Sequence, residues 1–585
     1  MDRRTFSLLL AGFAGSASVS VAADIDLKAC PPGVSGGRLV LALRAEPRTL
    51  NPVAALDAGS REVISLITAP LIDLDQNTFS TVAGLATNWT ASPDLRRFTL
   101  HLRRGLRFSN GQPFTADDVV FTFHAHQDQN THSPQRELLI VGGRAISVTK
   151  LDPFTVQFDL AEPYPVGERL FTGLGILPQG ALEADFRRGV LNAAWGLATP
   201  PSGIAGLGPF AVKEYVPGER LVLARNPYYW KTDSRSSRLP YLDEIVVEFA
   251  ANEDVQALRL LSGEADLVEG LSADTFAALK AEQARRGLQL YDQGPGLEYT
   301  CLLLNQNRST PAGASLKQRT AWFRTAAFRQ ALSAAIDRDA IARIAYHGVA
   351  TPIWAHVTPG NKRWVNDATP HPPRSVARAR ELLRGVGFSW NSANLLVDPQ
   401  GNPVTFSILA SASNTQSRRI ATLLQADLQE IGITVSIASL EFRALVDHVF
   451  NTRDYDAAVM TLGSGDTDPN SEMNVWTVNG DLHLWNLGGR DSEPWETEID
   501  GLMRKQMVCL SFQGRKRLYD RVQYLVATEL PVICMVSPHV LVAASRRVRN
   551  LRPSILRPYA LWNADELYSQ PDGTQPQPRP PPYRR

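Results

Sequence analysis

The stretch VTFSILASASNTQSRRIATLLQADLQEIGITVSI, from Val404 to Ile437, changes its period twice. Val404 to Ala410 is a short apolar run of strand type. From Ser417 to Gly432 the residues Ile420, Leu423, Leu424, Leu428 and Ile431 fall on one helical face, and Gly432 ends the run. Ile433 to Ile437 returns to strand alternation. Strand, helix and strand at this spacing form a βαβ unit, so the sheet here is at least partly parallel. Glu441–Phe450 (EFRALVDHVF) and Tyr455–Gly463 (YDAAVMTLG) repeat the unit. Upstream, Phe328, Leu332, Ala335, Ile336, Ile341 and Ile344 stand near helical spacing, with Asp337 as a cap and Gly348 as a stop. The second half of the chain reads as α/β.

The first half is richer in strands. Leu39 to Leu43 is one. In GLGPFAVKEYVPGERLVLARNPYYW (Gly206–Trp230), Phe210, Val212 and Tyr215 bracket a strand and Pro217-Gly218 make the turn. Leu221 and Leu223 mark the return strand, and Pro227, without an N–H, stops the pairing. A second hairpin turns at Asp152-Pro153. After the Asn110-Gly111 turn a helix is expected, with Thr115 as N-cap and Asp117 and Asp118 in its first turn, where carboxylates suit the helix dipole. Tyr559–Tyr568 (YALWNADELY) reads as a strand. There is no internal repeat.

The 585 residues are 44% hydrophobic and 20% charged, with a net charge of +1. This balance gives no footprint for nucleic acid or an acidic membrane surface. The N-terminus carries Arg3 and Arg4 before an apolar stretch from Phe6 to about Val21, and Val21-Ala22-Ala23 is a small-residue cleavage site. Arg-Arg-Thr-Phe resembles a twin-arginine export signal. Residues 1–23 are therefore expected as a signal peptide and the chain in the periplasm. Leu27-Lys28-Ala29-Cys30 faintly resembles a lipoprotein box, but Lys28, Asp24 and Asp26 argue against a lipid anchor at Cys30. No later apolar run is long enough to span a bilayer. Cys30, Cys301, Cys509 and Cys534 are too sparse for a disulfide framework, and the last three lie in apolar runs as small core residues.

A secreted hydrolase acting on peptides or glycans is the rival reading. The chain has no H-E-x-x-H and no G-x-S-x-G. Ser147-Val148-Thr149-Lys150 matches S-x-x-K but lies in an expected strand, where that motif needs a helix start. His124, His126 and His132 cluster at the end of a helix without a further oriented ligand, so no metal site is assigned. No catalytic residue and no cofactor is assigned.

Five stretches occur in a fixed order: Arg107–Phe123, Gly206–Trp230, Ala327–Pro352, Arg378–Phe388 and Tyr455–Asn470. Together they resemble the extracellular solute-binding proteins of ABC importers, of the peptide and nickel type, over roughly Gly37 to Tyr568. The resemblance implies an α/β, two-lobed periplasmic binding protein fold with a hinge, its first lobe carrying an extra subdomain. It implies a monomer that traps a small ligand, foremost a peptide, and delivers it to an inner-membrane permease. A sugar, opine or nickel complex is the alternative ligand within the same family. The expected division is a linker at 24–37, lobe I at 38–304 with a subdomain at about 75–195, lobe II at 305–532, a return to lobe I at 533–568, and a disordered Pro-rich tail at 569–585. The short strands Tyr299–Asn307 and Leu530–Pro538 are expected to cross between lobes, which would make Cys301 and Cys534 neighbours. The resemblance places an acidic residue after the strand that begins Tyr-Asp, holding a peptide amino terminus. Asp466 is that residue here, after a one-residue shift, with Leu462 where an aromatic is usual. Asp466, Gly463, Leu462, Ser464 and Asn305 are the candidate ligand-binding residues.

Overall fold

The computed structural model describes residues 26–28, 30–307, 314–464, 466–489 and 491–570. The expected signal peptide and all but the first two residues of the expected tail lie outside the described residues. Alternation along the strands decides which side chains meet. Twelve strands share one sheet, in the order Phe210–Val216, Arg220–Arg225, Glu244–Phe249, Arg38–Leu43, Leu267–Glu269, Val532–Ser545, Glu298–Leu304, Ala457–Gly463, Thr405–Ser411 and Thr434–Leu440. Leu288–Pro295 and Ala350–Pro352 also pair with Val532–Ser545.

In the second lobe Leu302, Leu304, Ile408 and Val459 face one core, while Cys301, Leu303, Leu409 and Cys534 face the other. The helix Thr415–Glu430 covers the first face through Ile420, Leu424 and Leu428, and the helix Phe512–Glu529 covers the second through Tyr519, Val522 and Val526. Fully burying a Leu or Ile in such a core contributes about 1.5–3 kcal/mol. The βαβ reading holds: Thr405–Ser411 runs parallel to both Thr434–Leu440 and Ala457–Gly463, and Gly432 ends the helix at φ 87°.

In the first lobe Leu39, Leu41, Leu221, Leu223 and Val542 share one face, and Ala42, Val268, Leu541 and Ala543 the other. The hairpin Phe210–Val216/Arg220–Arg225 forms as expected, with a register shift between Val212 and Glu214. Thr115 caps the helix Ala116–Gln127 through a capping box with Asp118. A separate four-stranded sheet of Ala86–Ala91, Arg97–Leu102, Thr155–Asp159 and Ser147–Asp152 makes the extra subdomain. Its core draws on Leu71 before it and on Leu207, Trp230 and Tyr241 after it, so bounds of 75–195 are too narrow.

The lobes are joined chiefly by the 14-residue strand Val532–Ser545. Its first part pairs with Glu298–Leu304 and its last part with Leu288–Pro295 and Leu267–Glu269. Glu298–Leu304 is thus wholly a second-lobe strand, and the other crossing comes before it, at Gly294-Pro295-Gly296, where Gly294 has φ 75°. Cys301 and Cys534 stand opposite each other in register as free, buried thiols.

Two further expectations give way. Tyr559–Tyr568 is mostly turn, with a 3-10 helix at Ala564–Glu566. Its apolar Ala560, Leu561 and Leu567 pack into the first-lobe core while Asp565 and Glu566 are held by ion pairs, so the apolar side chains are buried without strand pairing. The expected linker is docked instead: Asp26–Lys28 pairs with Lys231–Asp233, and Cys30 is buried in the subdomain core. No helix among the described residues is long and apolar enough to cross a membrane.

Candidate functional site

A cavity of ≈ 1420 Å³ opens between the lobes. The first lobe supplies most of its wall, from the helix Ala58–Ile67, the segments Asp73–Asn77 and Glu162–Gly175, Glu269, and parts of Arg552–Glu566. The second lobe supplies Asp466, Asp468, Asn470, Ser471, Met473 and Met507.

Asp466 follows the strand Ala457–Gly463 and lines the cavity. Its Oδ1 accepts from the Thr467 N–H at 2.6 Å and from Arg169 Nη1 at 2.5 Å. Arg169 belongs to the 3-10 helix Gly167–Phe171 of the subdomain and also donates from Nη2 to the Phe79 carbonyl at 2.7 Å. The carboxylate is therefore already engaged by a cation from the opposite lobe. Beside it, Tyr164 of the first lobe and Asn470 of the second both line the cavity, and burial raises the Tyr164 hydroxyl above the ordinary range. Asp468 caps the 3-10 helix Pro469–Glu472 and pairs with Arg515 through both oxygens, at 2.9 and 2.7 Å, in a buried setting.

The other candidates lie elsewhere. Leu462 packs on the second-lobe core, and Gly463 lies against Glu298, where a Cβ would come within 2.9 Å of a side-chain atom. The Ser464 hydroxyl bonds the Asp466 carbonyl and Ser471 Oγ, shaping the loop. Asn305 is fully buried; its Nδ2 donates to the carbonyls of Arg453 and Tyr455, and its Oδ1 accepts from Asn307. It fastens backbone at a strand end. None of these four lines the cavity.

At the far wall Lys28 Nζ lies 2.8 Å from Asp565 Oδ1 and 2.9 Å from Glu566 Oε1, and Arg552 pairs with Glu566. Burial works against the Asp565 charge, but Lys28 and Lys231 overcome it and hold the carboxyl below its usual range. Arg169, Glu62 and Glu269 carry no local motif. The only sequence signal is that Arg61, Glu62 and Ser65 form the polar side of a helix whose other side is apolar.

The Ser147 to Lys150 motif and the histidine cluster are not assembled into a site among the described residues. The Ser147 to Lys150 motif lies in the strand Ser147–Asp152, and Lys150 pairs with Asp117 at 2.7 Å. His126 is buried against Ser133 while His124 and His132 are exposed. Among the described residues no group of three or more potential metal ligands stands together.

Residues 80–482 match the family model described as bacterial extracellular solute-binding proteins, family 5 Middle. A "Probable ABC transporter-binding protein" of Deinococcus radiodurans is 26% identical over 525 residues, covering 86% of this chain and 87% of that one. The "Probable D,D-dipeptide-binding periplasmic protein" of Escherichia coli is 25% identical over 528 residues, 87% of this chain and 90% of its own. Among solved structures, an ABC transporter substrate-binding protein of Listeria monocytogenes superposes with a TM-score of 0.75 at 21% identity, covering 92% of this chain and 99% of the other. The cavity between two lobes and the match over most of the chain lead to one assignment: the chain belongs to family 5 of the bacterial extracellular solute-binding proteins, and is a ligand-capturing component of an ABC uptake system rather than an enzyme.

Proposed function

We propose that the protein captures a peptide of more than two residues in the periplasm and hands it to its permease. The size of the cavity carries this reading. At ≈ 1420 Å³ it exceeds the roughly 300–1,000 Å³ of ordinary small-molecule pockets, so a dipeptide alone would leave much of it to water. The peptide class is further supported by the Escherichia coli relative, whose name gives a dipeptide ligand. Closure over the ligand follows from contacts made to both lobes, which favour the closed state by their differential affinity. Export by the twin-arginine route rests on Arg3, Arg4 and the small residues at Val21-Ala22-Ala23. Cys30 remains unlipidated on this reading, because its thiol is buried in the subdomain core and Lys28 ahead of it is tied to Asp565 and Glu566. The working form is a monomer.

Purified mature protein, freed of bound ligand by unfolding and refolding, is incubated with a pool of di- to hexapeptides. The pool also holds oligosaccharides, opines and nickel–histidine. Retained species are identified by mass spectrometry. Retention of peptides of three or more residues, unchanged, is the expected result. Retention of only the non-peptide members overturns the peptide reading, and turnover of any peptide overturns the assignment as a binding protein.

A further inference from the structure

A carboxylate of the cavity wall, Glu62, has a buried oxygen that no hydrogen bond from the described residues reaches. Glu62 lies mid-helix in Ala58–Ile67 and Glu269 ends the strand Leu267–Glu269; both line the cavity. Glu269 Oε2 accepts from the Ala560 N–H at 2.7 Å. Glu62 Oε1 is buried and has no hydrogen-bond partner. The two cations that act on Glu62, Arg557 and Arg44, donate no hydrogen bond to its buried oxygen. Arg557 lies over the Tyr559 ring at 4.5 Å and reaches Glu298 at 4.0 Å, and Arg44 reaches Glu253 at 4.0 Å; both are about half exposed. Burial, and the Glu269 charge beside it, hold the Glu62 carboxyl well above the usual range against the pull of Arg557 and Arg44. Burial likewise raises Glu269.

We infer that Glu62 and Glu269 together form the subsite for a cationic group of the ligand, an ammonium or guanidinium, on the first-lobe wall. A buried carboxylate oxygen without a donor is costly, and a charged donor is the partner that best offsets that cost. An ammonium presents three donors, enough to reach both carboxyls at once. Asp466, the acid marked by the family resemblance, is less available, because Arg169 already occupies it at 2.5 Å. Asp466 and Asp468 are held by arginines and Asp565 and Glu566 by Lys28, whereas Glu62 offers a buried oxygen with no hydrogen-bond donor on it. This assignment rests on the uptake reading above, which it narrows to ligands bearing a positive group.

The test uses the full mature protein and two sets of probes in titration calorimetry. The first set pairs N-acetylated tetrapeptides containing one lysine with the same acetylated peptides containing norleucine, so that the lysine side chain is the sole cation. The second is agmatine and spermidine, which carry cations without a peptide bond. Wild type is compared with Glu62→Gln and Glu269→Gln, each first shown to melt as a folded protein. The expected result is a lysine preference of tenfold or more, about 1.4 kcal/mol, that either substitution abolishes while norleucine peptides bind as before. If lysine and norleucine peptides bind alike, or if Glu62→Gln leaves the preference intact, the cation subsite is overturned and the peptide reading stands. If no peptide binds but agmatine or spermidine binds wild type and not Glu62→Gln, the subsite stands and the peptide reading falls. If no probe binds wild type, both are overturned.

Discussion

Arg169 and Asp466, 297 residues apart in sequence, meet across the cavity mouth with Nη1 and Oδ1 at 2.5 Å. One comes from the subdomain of the first lobe and the other from the loop that leaves a second-lobe strand, so the pair spans the two bodies that must separate to admit a ligand. Asp466 is about one-third exposed, and solvent screening limits such a pair to roughly 1 kcal/mol.

Breaking that pair therefore shifts the balance of open and closed forms modestly. For Arg169→Met and for Asp466→Asn, the ligand-free protein is expected to favour the open form about fivefold more than wild type. Small-angle X-ray scattering of the ligand-free proteins reads this as a larger radius of gyration. The Asp466→Asn change alters affinity for all retained peptides alike, and by less than tenfold. A loss of a hundredfold or more, confined to peptides with a free amino terminus, returns the amine anchor to Asp466.

Asp468 predicts a different outcome only two residues on. Its bidentate pair with Arg515 is buried, with side-chain exposures of 6% and 3%. Removing one member of a buried pair costs about 3–5 kcal/mol, and Asn retains part of the hydrogen bonding. Asp468→Asn is expected to lower unfolding stability by about 2–3 kcal/mol in urea. Unchanged stability would show that Arg515 finds a substitute partner.

The thiols give a third test. Cys301 and Cys534 face the same second-lobe core with no exposure, and burial pushes Cys534 up to about 12. Cys30 is buried and Cys509 half-buried. Thiol titration of the native protein without reductant is expected to detect Cys509 alone, and titration after unfolding to detect the other three as well. Loss of two thiols in the unfolded sample would mean that Cys301 and Cys534 oxidise together.

His126 makes stability depend on pH. Its Nδ1 lies 2.8 Å from the Ser133 hydroxyl, its Nε2 is buried without a partner, and burial lowers it to about 4. The native ring stays neutral where the unfolded one, near 6.5, takes up a proton. Its contribution is fully present above pH 6.5 and is lost as pH falls toward 4, by up to about 1.4 kcal/mol per pH unit. Asp118, raised to about 6 chiefly by burial, has the opposite sign: the native state keeps a proton that the unfolded state sheds. His126→Gln removes the first effect alone. The stability advantage of wild type over this variant is expected to shrink by about 2 kcal/mol between pH 7 and pH 5 in urea unfolding. An advantage that does not change over that range contradicts the assignment.

The sequence carried the fold where the physics is local. Gly432, the Thr115 cap and the Pro217-Gly218 turn each act within a few residues, and each stands where expected. It misled where apolar spacing had two solutions: Tyr559–Tyr568 buries Ala560, Leu561 and Leu567 as turns packed on a core. The site was less legible. Asn305 has the residue type of a ligand contact but serves two backbone carbonyls. Glu62 and Glu269 are 207 positions apart and become neighbours only through the packing of a helix against a sheet, which no local spacing encodes.

The strand Val532–Ser545 is made by the ribosome after every strand it joins. Until about residue 545 has been synthesised, Leu288–Pro295 and Glu298–Leu304 both lack the neighbour that ties them into one sheet. Pairings over such sequence distances form late and slowly. A nascent chain cut short before Val532 would expose two unfinished sheet edges, which are templates for aggregation. Quality control of this protein is thus set by the last-made strand of its large sheet: a truncation that removes it leaves both lobes unfinished together, whichever lobe the missing residues belong to.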